Sequence, residues 1–195
     1  YPEFLYKIQS AVLERYHNVN TEILYRGDDV WQADTQVGTD DSKQEAIEPY
    51  YTALKTIESD SEELGLVLPY TKSNKQSLNS YLVGTYENGQ NKLVLYKLIS
   101  DTTLPDIKQL NVQIDQDKTI SDELDKLDTT GTQIIRKTYI IPIENNILYV
   151  EPVYQVLLNE QSKVPTLKKV IVASGTKVAI GDDLTEALTT LLTDS

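Results

Sequence analysis

The chain has 195 residues and a mass of 22.0 kDa, so we expect one soluble domain over residues 1–195, since domains average roughly 150 residues. Its apolar fraction of 39% and charged fraction of 25% are typical of a globular domain rather than of a disordered chain. A net charge of −12 argues against binding to nucleic acid or to anionic membranes. The absence of cysteine excludes disulfides, thiol nucleophiles and cysteine-based metal sites.

The first element in the chain is a predicted amphipathic helix. Apolar residues recur at spacings of three and four at Leu5, Ile8, Val12 and Tyr16, and the pattern ends near His17. We expect His17 to interact with the last carbonyl groups of this helix. Residues 26–48 show no sustained period and are predicted to form a long loop.

The middle of the chain is predicted to form β-strands separated by turns. Leu, Val and Tyr are enriched in four short segments, which are residues 49–55, 64–70, 81–86 and 92–98. Asn88-Gly89 supplies the two positive φ angles of a type I′ turn and predicts a hairpin between the last two segments. Ser73 and Gln76 resemble a capping box, which predicts a short helix before that hairpin, with Leu78, Tyr81 and Leu82 on its apolar face.

The remaining elements alternate in type. A strand is predicted at 107–114 and a helix at 119–127, followed by two hairpins that pair residues 133–143 with 147–158 and residues 168–173 with 176–180. Pro142 and Pro152 cannot donate to a ladder, so we expect them at edges or bulges. Asp183 and Glu186 form a capping box at the start of a C-terminal helix whose apolar face is Leu184, Ala187, Leu188, Leu191 and Leu192.

This order of elements predicts an α+β fold. It would contain a largely antiparallel sheet of several hairpins, an N-terminal helix, two short internal helices and a C-terminal helix. Residues 48–70 resemble residues 151–173 without a gap, which two copies of one β unit would explain, as would chance similarity between β-rich segments.

Several acidic and aromatic side chains are candidate site residues. Asp115 and Asp117 are candidates for a metal site, because they imitate the start of a calcium loop. The sixth and twelfth positions of such a loop, however, hold Ile120 and Lys126 in place of Gly and Glu. Capping of the next helix by Asp117 or Thr119 is therefore favoured. A second acidic group could hold a hard cation or form a solvated segment; its members are Asp28, Asp29, Asp34, Asp40 and Asp41.

Carboxylates and tyrosines also flank the second predicted hairpin. Glu144 and Glu151 could divide acid and base roles, although turn capping or pairing with Arg136 is the favoured interpretation. The chain has 13 tyrosines and one phenylalanine. Some tyrosines could form an outward binding patch, or they could complete a shallow core, which is the favoured reading; the candidates are Tyr50, Tyr51, Tyr149 and Tyr154.

The chain resembles uncharacterised protein family 0182 of the UPF series. The resemblance depends on residues 114–117 with Ile120-Ser121, on Gly131, on Ile135-Arg136, and on the stretch from 141–145 to 148–152. It covers nearly the whole chain, with departures at Lys72, where the family usually has proline, and in the acidic stretch 27–47.

The resemblance implies a bacterial multi-pass membrane protein, with spanning helices in its N-terminal half and a large soluble region behind them. This chain would be the later part of that region, attached to the membrane part of the same polypeptide in the cell membrane. An odd number of preceding helices would place it outside the cytoplasm. The resemblance implies no catalytic residue and no cofactor.

We therefore expect an extracytoplasmic, non-enzymatic module that serves ligand binding, assembly or regulation of the membrane part. One alternative is a calcium- or magnesium-dependent hydrolase that acts on an envelope substrate through acidic loops. Another is an oligomerisation domain that forms homo-oligomers. No basic run or catalytic motif in the sequence favours a nucleic-acid partner or a known nucleophile.

Overall fold

The structure is a computed structural model that describes residues 1–37, 44–55, 61–72, 77–98, 104–143, 146–159 and 163–193. Its helices are α1 (Glu3–Tyr16), α2 (Thr21–Arg26), α3 (Ile107–Gln116), α4 (Lys118–Leu127) and α5 (Leu184–Thr193). Its first strands are β1 (Trp31–Ala33), β2 (Thr35–Val37), β3 (Gln44–Ala46), β4 (Tyr50–Lys55), β5 (Glu62–Lys72), β6 (Leu78–Glu87) and β7 (Gln90–Lys97). The later strands are β8 (Thr132–Arg136), β9 (Tyr139–Ile143), β10 (Asn146–Leu157), β11 (Thr166–Ser174) and β12 (Lys177–Gly181).

These elements form two compact units: the first contains Tyr1–Gln36 and Gln44–Gln109, and the second contains Leu110–Ser195 together with Val37. In the first unit, β1, β5, β6 and β7 form an antiparallel sheet in that order, and β4 also pairs with β5. Helix α1 covers this sheet: the buried hydroxyl of Tyr6 donates to the Leu82 carbonyl at 2.8 Å. The core of this unit contains Tyr6, Trp31, Leu66, Leu68, Tyr70 and Leu82.

The second unit has its own five-stranded antiparallel sheet. Its order is β12, β11, β10 and β8, and β9 also pairs with β10. Helix α5 packs on β11 and β12, and the resulting core contains Val170, Val172, Ala179, Ala187 and Leu191. Lys169 of β11 bridges Glu123 of α4, at 2.8 Å, and Asp182 before α5, at 2.7 Å.

The two sheets share one topology. In each, two short strands divide one edge of a long strand between them: β1 and β4 share β5, as β8 and β9 share β10. The first short strand pairs with the C-terminal end of the long strand, and the second pairs with its N-terminal part. On the opposite edge, β6 and β7 follow β5, as β11 and β12 follow β10.

A proline occupies the same position in each long strand, at the break between the two short strands. Pro69 lies between the residues that pair with β1 and β4, and Pro152 lies between those that pair with β8 and β9. The Pro69 carbonyl accepts the Asp34 N–H at 3.0 Å. Because the carbonyl and the N–H of one strand residue point to the same side, the missing N–H of Pro69 would also point toward the break. A missing donor is tolerated there because the regular ladder is already interrupted.

Most predicted elements are confirmed, including the α+β class and the antiparallel sheets. The N-terminal helix, the helix at 119–127, the C-terminal helix and the hairpins of β6 with β7 and of β11 with β12 are present. The segment 133–143, predicted as one strand, forms two strands, β8 and β9, and both pair with β10. The turn at Asn88-Gly89 has φ angles of 48° and 79°, as a type I′ turn requires. Pro142 lies in the edge strand β9, as expected.

Three predicted elements are wrong. Residues 107–114 form a helix, because Ile107, Leu110 and Ile114 are spaced for one helical face and all three are buried. Residues 78–82 belong to strand β6, where consecutive residues are buried on both faces, as in a central strand. Within its described residues, the predicted loop 26–48 contains three strands of three residues each, which are too short to show a period.

Other predictions are not tested. The capping box at Ser73 and Gln76 lies outside the described residues. The single domain over residues 1–195 and the repeat of 48–70 in 151–173 stay predictions, although both repeat segments lie in antiparallel strand pairs, β4 with β5 and β10 with β11.

Candidate functional site

Three charged residues of the family-like stretches meet in the second unit. Arg136, the last residue of β8, donates from Nη1 to Oδ1 of Asp115 at 2.9 Å, and its Nε lies 3.0 Å from Oε1 of Glu151. Asp115 is on α3 and Glu151 is on the central strand β10. The predicted pairing of Glu151 with Arg136 is therefore confirmed. We call Asp115, Arg136, Thr138 and Glu151 the Arg136 cluster.

Glu151 is the buried member of this cluster. Only 2% of the residue is exposed, and burial raises the pKa of its carboxyl, an effect that Arg136 and the Thr138 hydroxyl oppose. Thr138 donates to Oε2 of Glu151 and lies in the two-residue break between β8 and β9. Because Arg136 is paired on two sides, its guanidinium charge is already neutralised.

This geometry indicates a structural role for the Arg136 cluster. Glu151 and Pro152 lie where β8 ends and β9 has not yet begun, so the ladder of β10 is interrupted there. The Glu151 side chain forms an ion pair with Arg136, the last residue of β8, and accepts a hydrogen bond from Thr138, which lies within the interruption. The cluster thus connects the end of β8 and the segment between β8 and β9 to β10, and connects β8 to α3 through Asp115.

The two candidate metal ligands have separate partners in the structure. Asp115 pairs with Arg136, and Asp117 caps α4 by accepting the Ile120 N–H at 3.0 Å. The capping expected of Asp117 is therefore confirmed. Among the described residues, no group of three or more His, Cys, Asp or Glu side chains could hold a metal ion. Glu144, the other carboxylate considered near Glu151, lies outside those residues.

A second polar cluster surrounds Asp29 in the first unit. Its carboxylate contacts Lys72 Nζ at 2.9 Å, His17 Nε2 at 3.2 Å and Trp31 Nε1 at 3.2 Å. Burial disfavours the charged form, but hydrogen bonds from Lys72 and His17 prevail and lower the pKa of Asp29 to about 2. Asp29 is thus held as a carboxylate by cationic and aromatic donors.

His17 links this cluster to the end of α1. Its Nδ1 lies 3.2 Å from the carbonyl oxygens of Leu13 and Glu14, which confirms the predicted contact with the last helical carbonyls. The imidazole stacks on Trp31 with 3.8 Å between ring centroids. Both ring nitrogens of His17 thus lie within hydrogen-bonding distance of oxygen atoms.

Among the described members of the acidic group, Asp34 has the carboxyl with the largest pKa shift. It is 2% exposed and its oxygens accept the N–H groups of Thr35, at 2.8 Å, and Ile107, at 3.1 Å. Burial raises its pKa to about 7, and the nearby Asp106 carboxylate adds to the rise. Asp106 is itself buried and caps α3 by accepting the Gln109 N–H at 2.7 Å.

The capping role of Asp106 is not predicted from the sequence, because a strand is expected at 107–114 and a strand has no cap. An Asp three residues before Gln109 and directly before an apolar residue was the signal available. Asp28 is exposed, and Asp40 and Asp41 lie outside the described residues.

The proposed tyrosine patch is not formed. Tyr50 and Tyr149 are buried, Tyr154 is half-buried, and only Tyr51 of the four is exposed. The tyrosines that are buried most completely, Tyr6, Tyr70 and Tyr149, complete the cores of the two units. This outcome agrees with the core interpretation of the tyrosines.

An apolar face of α1 is exposed. Tyr6, Ser10 and Leu13 of this helix face its own sheet, whereas the residues that define the predicted amphipathic pattern face outward. The exposed fractions are 71% for Phe4, 42% for Leu5, 48% for Ile8, 53% for Val12 and 66% for Tyr16. We call these five residues the apolar arc. At 100° per residue they span about 120° of the helix surface, which is the width of a face that ordinarily packs against a core.

The described helices include none that is long and apolar enough to cross a membrane.

Comparison with known proteins identifies the relatives of this chain. It is 34% identical over 98% of its length to a UPF0182 protein of Caldicellulosiruptor saccharolyticus, and 36% identical over 96% to one of Desulforamulus reducens. A UPF0182 protein of Trichodesmium erythraeum is 34% identical over 98% of the chain. The chain spans about a fifth of the length of these relatives, 21%, 20% and 21% respectively.

No solved structure matches the chain. Residues 1–127 match the family described as "Uncharacterised protein family (UPF0182)". With this match and relatives at about a third identity over nearly the whole chain, the chain belongs to the UPF0182 family.

Proposed function

We propose that the chain is a non-enzymatic, extracytoplasmic module of a multi-pass membrane protein, and that it serves binding or assembly within that protein. The observation that carries this proposal is the apolar arc of α1. Exposed contiguous apolar surface is uncommon on isolated soluble proteins and marks interaction sites. Here it lies on a chain that spans only about a fifth of the length of its relatives.

The polar clusters support a binding module rather than an enzyme. The Arg136 cluster, the Asp29 cluster and the capping residues Asp106 and Asp117 each hold secondary-structure elements together through paired contacts. Catalytic groups, in contrast, converge on a position that a substrate can occupy. Turnover of an envelope substrate by the purified chain, abolished by changing one carboxylate, would contradict the non-enzymatic part of the proposal.

Its location can be tested by cysteine labelling in the full-length polypeptide. The chain contains no cysteine, so a single introduced cysteine reports on this region once cysteines elsewhere have been replaced. Lys168→Cys places the thiol at an exposed position on β11, and Ala173→Cys places it at a position that is 1% exposed on the same strand.

A membrane-impermeant maleimide should label Lys168→Cys in intact cells, whereas Ala173→Cys should react only after denaturation. If Lys168→Cys reacts only after the cells are lysed, the domain faces the cytoplasm and the extracytoplasmic location is wrong.

A further inference from the structure

The apolar arc lies on a helix that is apolar on two opposite sides. Tyr6 and Leu13 pack toward the sheet of the first unit, and the Tyr6 and Tyr70 hydroxyls bond to the Leu82 and Ser10 carbonyls, which fix α1 in place. The arc therefore stays exposed while the helix is docked. A helix with apolar faces on two opposite sides ordinarily packs against a neighbour on each of them.

The charge distribution restricts what can cover the arc. Residues 1–26 contain three basic and three acidic side chains, so their formal charge is zero, while the whole chain carries −12. Helices that lie in a bilayer interface typically present many Lys and Arg residues beside the apolar face. Arg15 is the one basic residue of α1 within the angular range of the arc, and Lys7, outside that range, is paired with Glu3 and Glu48. An anionic lipid surface is thus a poor match, and a near-neutral apolar protein surface is a good one.

A second copy of the chain is the less favoured protein partner. Two copies would bring together two molecules of charge −12, and this repulsion opposes association. The relatives extend to about five times the length of this chain, so that most of their polypeptide is available to supply a covering surface at high effective concentration.

We infer that the apolar arc of α1 docks on an apolar, near-neutral surface formed by the same polypeptide outside these 195 residues. This inference rests on the proposed function in one respect, namely that the chain acts as a module of a longer protein. At 100° per residue, Ile8 and Val12 lie nearest the middle of the contact, with Phe4 at one edge and Leu5 and Tyr16 toward the other.

Site-specific photocrosslinking in the full-length polypeptide tests the inference. A benzophenone amino acid replaces Ile8 or, in a second variant, Val12, and the matched control carries it at Thr189, an exposed position on α5. We expect both arc variants to form crosslinks within one polypeptide, at least several-fold above the control, to peptides outside residues 1–195 by mass spectrometry.

Each other outcome overturns the inference. A product of twice the mass identifies a second copy as the occupant, a lipid adduct identifies the bilayer, and a yield equal to that of the Thr189 variant shows that the arc is uncovered. The crosslink does not depend on which side of the membrane the domain occupies. A cytoplasmic result in the cysteine labelling would therefore defeat the proposed location and leave this test intact.

Discussion

Nε of Arg136 lies 3.0 Å from Oε1 of Glu151 at the point where β8 and β9 interrupt the ladder of β10. The ladder of β5 in the first unit has the same interruption. There the Asp34 N–H donates to the Pro69 carbonyl, and the Asp34 carbonyl accepts the Ile47 N–H. Two sheets of one topology thus close the same break in different ways. The first uses main-chain hydrogen bonds and the second uses a buried ion pair.

Removing Arg136 should therefore be costly. Arg136→Leu leaves the Glu151 carboxylate buried without its charged partner, so we expect a loss of about 3–5 kcal/mol in the free energy of unfolding. The double variant Arg136→Leu/Glu151→Leu removes both charges and should recover most of that loss. Urea unfolding of the two single variants and the double variant gives the coupling free energy directly.

Asp115→Asn is the control for this cycle, because its side chain is 58% exposed and surface pairs contribute at most about 1 kcal/mol. If Asp115→Asn and Arg136→Leu lower the free energy of unfolding equally, the buried contact of Arg136 with Glu151 contributes no more than the exposed contact with Asp115.

The raised pKa of Asp34 predicts that pH changes the stability of the chain. Its carboxyl titrates near pH 7 when folded and near 3.8 in its ordinary state, so between these values the folded state binds more protons than the unfolded state. Asp34 thus contributes stability that is complete below about pH 4 and is lost as the pH rises through 7. Burial also raises the pKa of Asp106, which acts in the same direction.

Asp34→Asn should reduce this pH dependence. We expect the decrease in unfolding free energy between pH 5 and pH 8 to be smaller in the variant by roughly 1–3 kcal/mol, whatever the variant's absolute stability. Chemical denaturation at both pH values measures this difference. An unchanged decrease would mean that Asp34 does not titrate in this range.

The sequence predicts elements whose local signals are strong. Asn88-Gly89 determines its hairpin through positive φ angles, and Asp183 with Glu186 caps α5, since the Glu186 N–H donates to Asp183 at 2.9 Å. In contrast, the sequence of residues 107–114 is compatible with both a helix and a strand. The spacing of Ile107 and Ile114 fits one face of a helix, but a segment this short and apolar also fits a strand. The buried cap Asp106 decides between them, and its burial depends on the tertiary structure.

The Arg136 cluster and the apolar arc likewise show which features can be predicted from the sequence and which depend on the tertiary structure. Arg136 and Glu151 could be paired from the sequence, because both lie on strands of one expected hairpin. The period of Leu5, Ile8 and Val12 likewise identifies an apolar face of α1, but a period does not say what covers that face. Its exposure follows from Tyr6, whose hydroxyl bonds to Leu82 and turns the opposite side of the helix toward the sheet.

The Asp29 cluster predicts a pH effect of the opposite sign. Hydrogen bonds from Lys72 and His17 lower the pKa of Asp29 to about 2, so the stability that it contributes is present above about pH 4 and is lost as the pH falls toward 2. Asp29→Asn should cost about 1–2 kcal/mol at pH 7, a typical value for hydrogen bonds to a charged group. That cost should shrink below pH 4, as measured by urea unfolding at pH 7, 4 and 3. Asp28→Asn, at a neighbouring position, is the control, and a cost for Asp29→Asn that stays constant with pH would contradict the role of its charge.

Two strand glycines provide a matched test of how the helices and strands are packed. A Cβ added at Gly181 of β12 would lie 2.4 Å from the backbone nitrogen of Ala187 in α5. One added at Gly65 of β5 would lie 2.8 Å from Cδ2 of Leu54, the mobile end of a side chain. Backbone atoms cannot move aside as a rotamer can, so Gly181→Ala must displace α5 from its sheet.

We expect Gly181→Ala to lower the free energy of unfolding by about 2–3 kcal/mol, and Gly65→Ala to change it by less than about 1 kcal/mol, because the lower chain entropy of unfolded alanine offsets a small repacking cost. Thermal and urea unfolding of the two variants measure both values. Hydrogen exchange should also show faster exchange of the α5 amides in Gly181→Ala alone. The prediction is wrong if both variants lose equal stability and the α5 amides of Gly181→Ala still exchange slowly. The close approach of α5 to β12 would then not limit which side chain position 181 accepts.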